Sequence, residues 1–378
     1  MRGMDAAREA CDMLLPQLAP ALADVSLPEL EVPGGPGLDA FRKSGGPGLL
    51  VPAAYGGAGA GALQAARVSR ALGAMSPSLG VATAMHNFSV ASLVALVASA
   101  DATGLEWMLI EGIARDRLLV ASAFAEGRTG AGVLDSAVTA RPVEDGYRVT
   151  GSKKPCSLSR SMNLITASVA LTGADGTKEL GVALVPAESA GISRRPFWST
   201  PILAGAESDE VVLEDVHVPE ELMLRPQIEL GTGLDTLQTV GFVWFELLVT
   251  SAYTGAVARL AESALGSGKG SATDRAALLT GVEAAIALAE NTARVVDEGP
   301  VGNSELGAVL TARYAVQELL VTAADRAAEL LGGLAFVTTP DIGHLLAVSR
   351  ALAFHPPSRG SMAQALLDHH VGAPLKVR

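Results

Sequence analysis

The chain has 378 residues, of which 49% are hydrophobic and 18% are charged, enough for a large buried core divided over two or three regions. Its 28 basic and 40 acidic residues give a net charge of −12 without a dense Lys/Arg run, which argues against nucleic-acid binding. The two cysteines, Cys11 and Cys156, form neither a CxxC pair nor a disulfide framework, which favours a reducing, cytoplasmic location.

Residues 1–118 are predicted to form an N-terminal helical domain, apart from the Pro/Gly-rich segment 33–59. Ala and Leu recur there at helical spacing, without the alternation that is typical of strands. The predicted helices cover residues 64–72, 78–98 and 105–115.

Two observations argue against a membrane role for this region. Asp5 and Glu9 interrupt the start of the chain, which lacks the charged-then-apolar order of a signal peptide. The most apolar stretch, residues 79–100, contains His86 and Asn87 and therefore predicts a buried helix and not a membrane span.

The pattern changes at about Leu119 to short β-rich runs. Residues 133–140 and 147–150 flank the turn Asp145-Gly146, a strong hairpin signal. Further strands are predicted over residues 164–171, 180–186 and 210–218. These runs predict a middle β-domain over residues 119–225, an antiparallel barrel or sandwich.

Helical texture returns in residues 226–378, which are predicted to form a C-terminal helical bundle. The pair Gly332-Gly333 is expected to end the third of its long helices. The predicted helices cover residues 235–265, 272–297 and 304–331. The order of helical, β and helical regions predicts the α+β class.

Five motifs, in this order, resemble landmarks of the acyl-CoA dehydrogenase superfamily over nearly the whole chain. They are VPAAYGGAG at 51–59, AFAE at 123–126, YRVTGSK at 147–153, VLEDVHVP at 212–219 and LGGLAF at 331–336. The resemblance implies that the chain is a flavoprotein with FAD as its cofactor.

The resemblance also implies where FAD is held. Backbone groups at a strand end would serve the flavin pyrimidine edge, a hydroxyl would lie near its N5 atom, and a glycine pair would allow close approach of the pyrophosphate. The residues expected to contact FAD are Phe124, Ala125, Ser157, Glu329, Gly332, Gly333 and Ser358. Pro155 stands where the family has a flavin-stacking Trp, so FAD is expected to be held more loosely than in relatives.

The catalytic base departs most from the family. Most members use a Glu in a loop where this chain has Pro356, but a second branch keeps its Glu on the first long C-terminal helix. Glu246 lies within one residue of that position, and one helical residue turns a side chain by about 100°. A buried Glu would have a raised pKa, which suits a base. The alternative is a structural carboxylate, paired with an Arg or capping a neighbouring helix.

The resemblance therefore implies α,β-dehydrogenation of a small acyl thioester, carried by CoA or by an acyl carrier protein as in polyketide biosynthesis, with Glu246 as the base. The electron acceptor stays open. One alternative is a reduced-flavin monooxygenase, in which His355 would handle a proton beside the flavin, and another is a non-enzymatic relic of the fold. A homodimer or homotetramer is expected. His369 and His370 lack the neighbouring ligands of a metal site, and none is predicted.

Overall fold

The computed structural model describes residues 1–98, 104–127, 136–172, 178–225, 234 and 236–377. The N-terminal helices are α1 (Arg2–Leu14), α2 (Leu18–Leu22), α3 (Leu27–Leu30), α4 (Pro36–Lys43), α5 (Ala62–Met75), α6 (Pro77–Val97) and α7 (Leu105–Arg115). The three predicted helices correspond to α5, α6 and α7. Helix α4 lies in the Pro/Gly-rich segment expected to be irregular. A helix can form there because Pro36 occupies its first turn, where proline is tolerated.

The described strands are β1 (Val120–Ala123), β2 (Thr139–Val143), β3 (Gly146–Cys156), β4 (Leu164–Thr172), β5 (Lys178–Pro186), β6 (Ile192–Arg195), β7 (Asp209–Pro219) and β8 (Met223–Leu224). They form one sheet in the order β6-β7-β3-β2-β4-β5-β8, with β1 paired to β4. The Asp145-Gly146 hairpin is confirmed, since Val143 pairs with Gly146 in the antiparallel β2–β3 ladder. Residues 133–135 of the first predicted strand lie outside the described residues.

The sheet is mixed, which corrects the prediction that all of its strands pair antiparallel. Strand β1 runs parallel to β4, with Val120 opposite Leu164, and β2 also pairs with β4 in parallel. Parallel pairs join strands through long connections, which local turn signals do not reveal. The expected chain order, with helical regions before and after a central β-region, is confirmed.

The C-terminal helices are α8 (Thr236–Gly266), α9 (Ala272–Glu298), α10 (Asn303–Leu331), α11 (Gly333–Thr338), α12 (Pro340–Ala351) and α13 (Arg359–His370). The three predicted long helices match α8, α9 and α10 to within one residue at each end. Gly332, at a φ of +83°, ends α10 as expected. The domain limits at 118/119 and 225/226 stay predictions.

Helix α8 packs at the centre of the helical bundle, against α5, α6 and α10. A Cβ atom added to Gly73 would lie 1.9 Å from the carbonyl oxygen of Ala252, and one added to Gly80 would lie 2.8 Å from the Cα of Gly73. These helices therefore touch through their backbones, which only glycine permits. Helices α6 and α8 are apolar enough to cross a membrane, but 78% and 83% of the residues in their most apolar windows are buried inside the protein. That burial marks them as core helices.

Two buried carboxylates are kept in the ionised form by hydrogen bonds from cationic side chains. In the sheet, Lys153 Nζ lies 2.6 Å from Glu126 Oε1, and in the bundle Arg67 and Arg70 bind Glu290 at 3.0 and 2.7 Å. Burial opposes ionisation of both carboxylates, but the hydrogen bonds from these cations outweigh it and lower the pKa of each to about 2.

The thermal stability of the protein is expected to fall in acid because of these carboxylates. Their ordinary pKa is 4.5 and their folded pKa is about 2, so their contribution is complete above pH 4.5 and is lost as the pH falls towards 2. Two such groups should lower Tm by about 10 °C across this range, as followed by circular dichroism. Glu290→Gln should lower Tm at neutral pH and weaken the acid dependence. A wild-type Tm that stays constant through this range would contradict the assignment.

Candidate functional site

Three of the residues expected to contact a flavin lie together at one end of the sheet. Phe124 and Ala125 follow β1 directly and are half-buried. The carbonyl oxygen of Ala125 accepts a hydrogen bond of 2.9 Å from the backbone N–H of Lys154, at the end of β3. Ser157 follows β3, and its hydroxyl lies 2.9 Å from that of Ser208. The sheet end therefore offers a ring edge, a strand-end backbone and a hydroxyl in one place.

An aromatic wall extends from this sheet end across two helices. We define it as Phe124, Phe88 of α6, Phe245 of α8, and His355 of the loop between α12 and α13. The ring centroids are 6.5 Å apart for Phe88 and Phe124, 5.4 Å for Phe88 and Phe245, and 5.9 Å for Phe245 and His355. Phe88, Phe124 and His355 are half-buried, so the wall keeps ring surface accessible at the junction of sheet and bundle. Such a junction is suited to a flat cofactor or an apolar substrate.

His355 is held as a neutral imidazole at the far end of the wall. Its Nε2 atom lies 2.9 Å from the hydroxyl of Tyr253 on α8. Burial, with the positive charge of Arg313, lowers the pKa of His355 to about 3, and burial raises the pKa of Tyr253. At neutral pH both groups are therefore uncharged, and the bond joins a phenol to an imidazole.

Glu246 is fully buried and forms an ion pair with Arg313 of α10. Arg313 Nη1 donates to both carboxylate oxygens, at 2.8 and 2.7 Å. Burial raises the pKa of Glu246 to about 7, against the opposing effect of Arg313. The preceding residue, Phe245, is the one that faces the wall, as the turn of about 100° per helical residue requires. The pairing with an Arg, left open by the sequence, is thus observed, and a catalytic role for Glu246 stays a prediction.

Arg313 also fixes the loop that carries His355. Its guanidinium donates to the carbonyl oxygens of Leu352 at 3.1 Å, of Pro357 at 3.3 Å, and of His355 itself. Tyr314, the next residue of α10, donates to the carbonyl oxygen of Pro357 at 2.9 Å. Sequence reasoning missed this function of Arg313, although a buried acid at Glu246 demands a buried cation nearby. It also missed Phe88, Phe245 and Tyr253, whose apolar helical setting resembles ordinary core.

The other residues expected to contact the cofactor lie on outer turns. Glu329 is exposed near the end of α10, and Gly332 and Gly333 join α10 to α11. Ser358 is exposed and caps α13, accepting a hydrogen bond of 3.1 Å from the backbone N–H of Ser361. Within the described residues, no hydrogen bond or ring contact joins these four to the aromatic wall, and their contact with a cofactor stays a prediction. Helix α11 exposes Leu334 by 78% and Val337 by 75%, apolar surface of the kind that oligomers bury.

Comparison with known proteins gives relatives over the full chain. Residues 5–103 match the family model described as acyl-CoA dehydrogenase, N-terminal domain. The isobutylamine N-hydroxylase of Streptomyces viridifaciens is 50% identical over 378 residues, which is 100% of both chains. The structure of KijD3 with FMN and an amino-keto sugar nucleotide has a TM-score of 0.86 at 20% identity, over 97% of this chain and 94% of that one. A nitrososynthase from Micromonospora carbonacea var. africana has a TM-score of 0.82 at 19% identity, over 99% and 98% of the two chains.

Proposed function

Because the chain belongs to the acyl-CoA dehydrogenase superfamily, we propose that it is a reduced-flavin-dependent monooxygenase that hydroxylates the nitrogen of a small primary amine. The 50% identical relative carries that activity in its name. The structural observation that supports the proposal is the closed Glu246–Arg313 pair behind the aromatic wall. The described wall thus presents a neutral imidazole and aromatic rings, while the nearby carboxylate is engaged by a guanidinium.

A bound flavin fits the residues at the sheet end. The half-buried ring of Phe124, the backbone at Ala125 and the hydroxyl of Ser157 would hold it against the wall, as FAD or as the FMN seen with KijD3. When bound in its reduced form, the flavin reacts with O₂ and supplies one oxygen atom to the substrate. The electrons arrive with the reduced flavin, which must be supplied from outside the chain.

The residues of the chain then orient the reactants and exclude water. Phe88 and Phe245 pack against the alkyl group of the substrate, so the reaction takes place in a dry site where hydrogen bonds are stronger. We assign to His355 the tautomer in which Nε2 accepts from the Tyr253 hydroxyl and Nδ1 carries the proton, so that the neutral ring acts as a donor. Arg313 holds the loop so that this N–H keeps its direction. A cytoplasmic location and a homodimer or homotetramer remain part of the proposal.

Dehydrogenation of an acyl thioester, on CoA or on an acyl carrier protein, is the second candidate. The observation that favours it is the raised pKa of Glu246, which suits a base near neutrality. Against it stand the orientation of Glu246 towards α10 and the proline at position 356, where most of the superfamily has its base. FAD would be the cofactor in that case as well.

One experiment separates the two candidates. Purified protein receives isobutylamine, chemically reduced FAD or FMN, isotope-labelled O₂ and catalase, which removes the peroxide that free reduced flavin forms. Mass spectrometry is expected to find N-hydroxyisobutylamine with one labelled oxygen atom, which a mixture without the protein does not form. In a parallel anaerobic experiment, acyl thioesters are expected to leave the oxidised flavin unreduced. Flavin reduction by a thioester, without hydroxylated amine in the first mixture, would establish the dehydrogenase instead.

A further inference from the structure

We propose that the aromatic wall binds its amine substrate as the uncharged free base and excludes the ammonium form. This inference rests on the proposed function and adds the protonation state that the site selects. An aliphatic amine has a pKa of about 10.4, like a Lys side chain, so that only about one molecule in 2,500 is uncharged at pH 7. The selection therefore governs how much of the substrate the protein can use.

The carboxylates next to the described wall are bound by buried cations. Behind Phe245, both oxygens of the Glu246 carboxylate accept hydrogen bonds from Arg313, at 2.8 and 2.7 Å. Beside Phe124, the carboxylate of Glu126 is neutralised by Lys153, at 2.6 Å. Both pairs are buried, so neither carboxylate can turn to an ammonium without leaving a buried cation uncompensated, which is costly.

Other titratable and polar groups on the helices and strands that adjoin the wall are bound within the protein and carry no charge. On α6, His86 is fully buried between the Pro47 carbonyl oxygen and the Val120 N–H, and burial lowers its pKa to about 4. From α6 and β4, the hydroxyls of Ser89 and Thr166 lie 3.5 Å apart and carry no charge. These groups are uncharged at neutral pH.

At the end of the wall, the positive charge of Arg313 acts on His355, and the negative charge of Glu31, which is bound by His344 at 3.0 Å, acts on Tyr253. Tyr253 on α8 and His355 in the loop are both uncharged at neutral pH, and the guanidinium of Arg313 on α10 helps to hold the imidazole in that state. The positive charge that disfavours an imidazolium also disfavours an ammonium bound in contact with His355. A buried ion without a partner carries a large desolvation penalty, whereas a neutral amine can accept the hydrogen bond that His355 donates. The nitrogen lone pair of the free base is also the nucleophile that N-hydroxylation needs.

Aromatic faces attract cations, so an ammonium bound over the rings is the competing outcome. The wall favours the free base because of how its rings are arranged. The planes of neighbouring rings form angles of 51°, 73° and 60°, so that the edge of one ring points towards the face of the next. The positive ring edges reduce the attraction that a stacked cage would offer.

Calorimetry measures the protonation state directly. Isobutylamine is titrated at about pH 7 into the protein saturated with oxidised flavin, in two buffers of different ionisation enthalpy, which gives the number of protons released on binding. We expect about one proton per isobutylamine, by linkage. 2,2,2-Trifluoroethylamine, whose fluorines leave it largely uncharged at neutral pH, should release almost none. Binding of isobutylamine without proton release would overturn the inference, and so would a failure of both amines to bind.

Two variants of Phe245 test the effect of a charge on the wall, one with a carboxylate and one with an uncharged amide. Phe245→Glu supplies a carboxylate, so the ammonium should bind and proton release should fall to nearly zero. Phe245→Gln has the same size without the charge, and release should stay at about one proton. Equal release by both variants would contradict the inference. If Phe245→Glu does not fold, the comparison of the two amines on the wild-type protein still decides.

Kinetics separates this inference from the proposed function. With reduced flavin supplied, the KM for total isobutylamine should fall about tenfold for each unit by which the pH is raised, as long as the pH stays below the amine pKa. The KM for trifluoroethylamine should stay nearly constant, which controls for effects of pH on the protein. Hydroxylated product with a KM that ignores the amine pKa overturns the inference and leaves the function intact. Proton-releasing binding without any hydroxylated product overturns the function and leaves the inference intact.

Discussion

Replacing His355 by Ala is expected to lower kcat for amine N-hydroxylation by about 10²- to 10³-fold, the usual cost of removing one well-placed hydrogen-bond donor from an active site. The fold should persist, because the Arg313 contacts that fix this loop go to backbone carbonyl oxygens and not to the imidazole. The measurement is hydroxylated product per protein molecule, with reduced flavin supplied in excess. Circular dichroism then verifies that the variant is folded.

His355→Asn is the matched control, since its amide nitrogen lies near the position of the histidine Nδ1 atom. It should regain part of the lost kcat, and rescue of this kind is not expected from a residue that only fills space. Tyr253→Phe removes the 2.9 Å bond to Nε2 and should cost about tenfold through loss of the ring tautomer. Full activity of His355→Ala would remove this residue from the mechanism.

At a pH above about 8, where Glu246 is ionised, replacing it by Gln is expected to lower the free energy of unfolding by about 3 kcal/mol, because the guanidinium of Arg313 would remain buried without a counter-charge. Both side chains have a relative accessibility of 0%, so water cannot replace the carboxylate. Urea unfolding, followed by fluorescence, measures the loss. Hydroxylation per folded molecule should change much less than in His355→Ala, since Phe245 and not Glu246 faces the wall.

The double variant Glu246→Gln with Arg313→Met should recover most of this stability, because it removes both charges from the core. The same single variant tests the second candidate function. A catalytic base at Glu246 predicts that Glu246→Gln keeps its stability and loses about 10²- to 10⁴-fold in anaerobic flavin reduction by a thioester. Unchanged stability together with such a loss would return Glu246 to the role of base.

The helices and the hairpin could be predicted from the sequence because their signals are local. The period of the apolar residues and the break at Gly332 gave α8, α9 and α10, and Asp145-Gly146 gave the β2–β3 turn. Strands β1, β6 and β8 have four, four and two residues, too few to show a period. The parallel pairing of β1 with β4 joins residues 44 positions apart and leaves no local signal, so the sheet was taken for antiparallel.

The site could be predicted only in part. The resemblance located Phe124, Ala125 and Ser157 at one sheet end, and it noted His355 in the loop. It could not orient Glu246, because that orientation depends on Arg313, which is 67 residues away along the chain. Glu246 lies one residue away from the position of the catalytic Glu in the second branch of the family. Phe245 therefore contacts the wall, and the side chain of Glu246 points towards α10. The resemblance to acyl-CoA dehydrogenases favoured the acid, whereas the structure pairs that acid with Arg313.

The glycine contacts between α5, α6 and α8 determine where the molecule can open to admit a substrate. Gly73 and Gly80 bring the backbones into contact around Ala252, so that no side-chain layer separates the helices at this crossing. Shear motions use such layers, and hinge motions need free segments. Among the described segments, we therefore expect passage to the wall to come from displacement of the sheet end or of the loop at His355. Mutations that widen the entrance should accordingly be sought in those two segments and not between the helices.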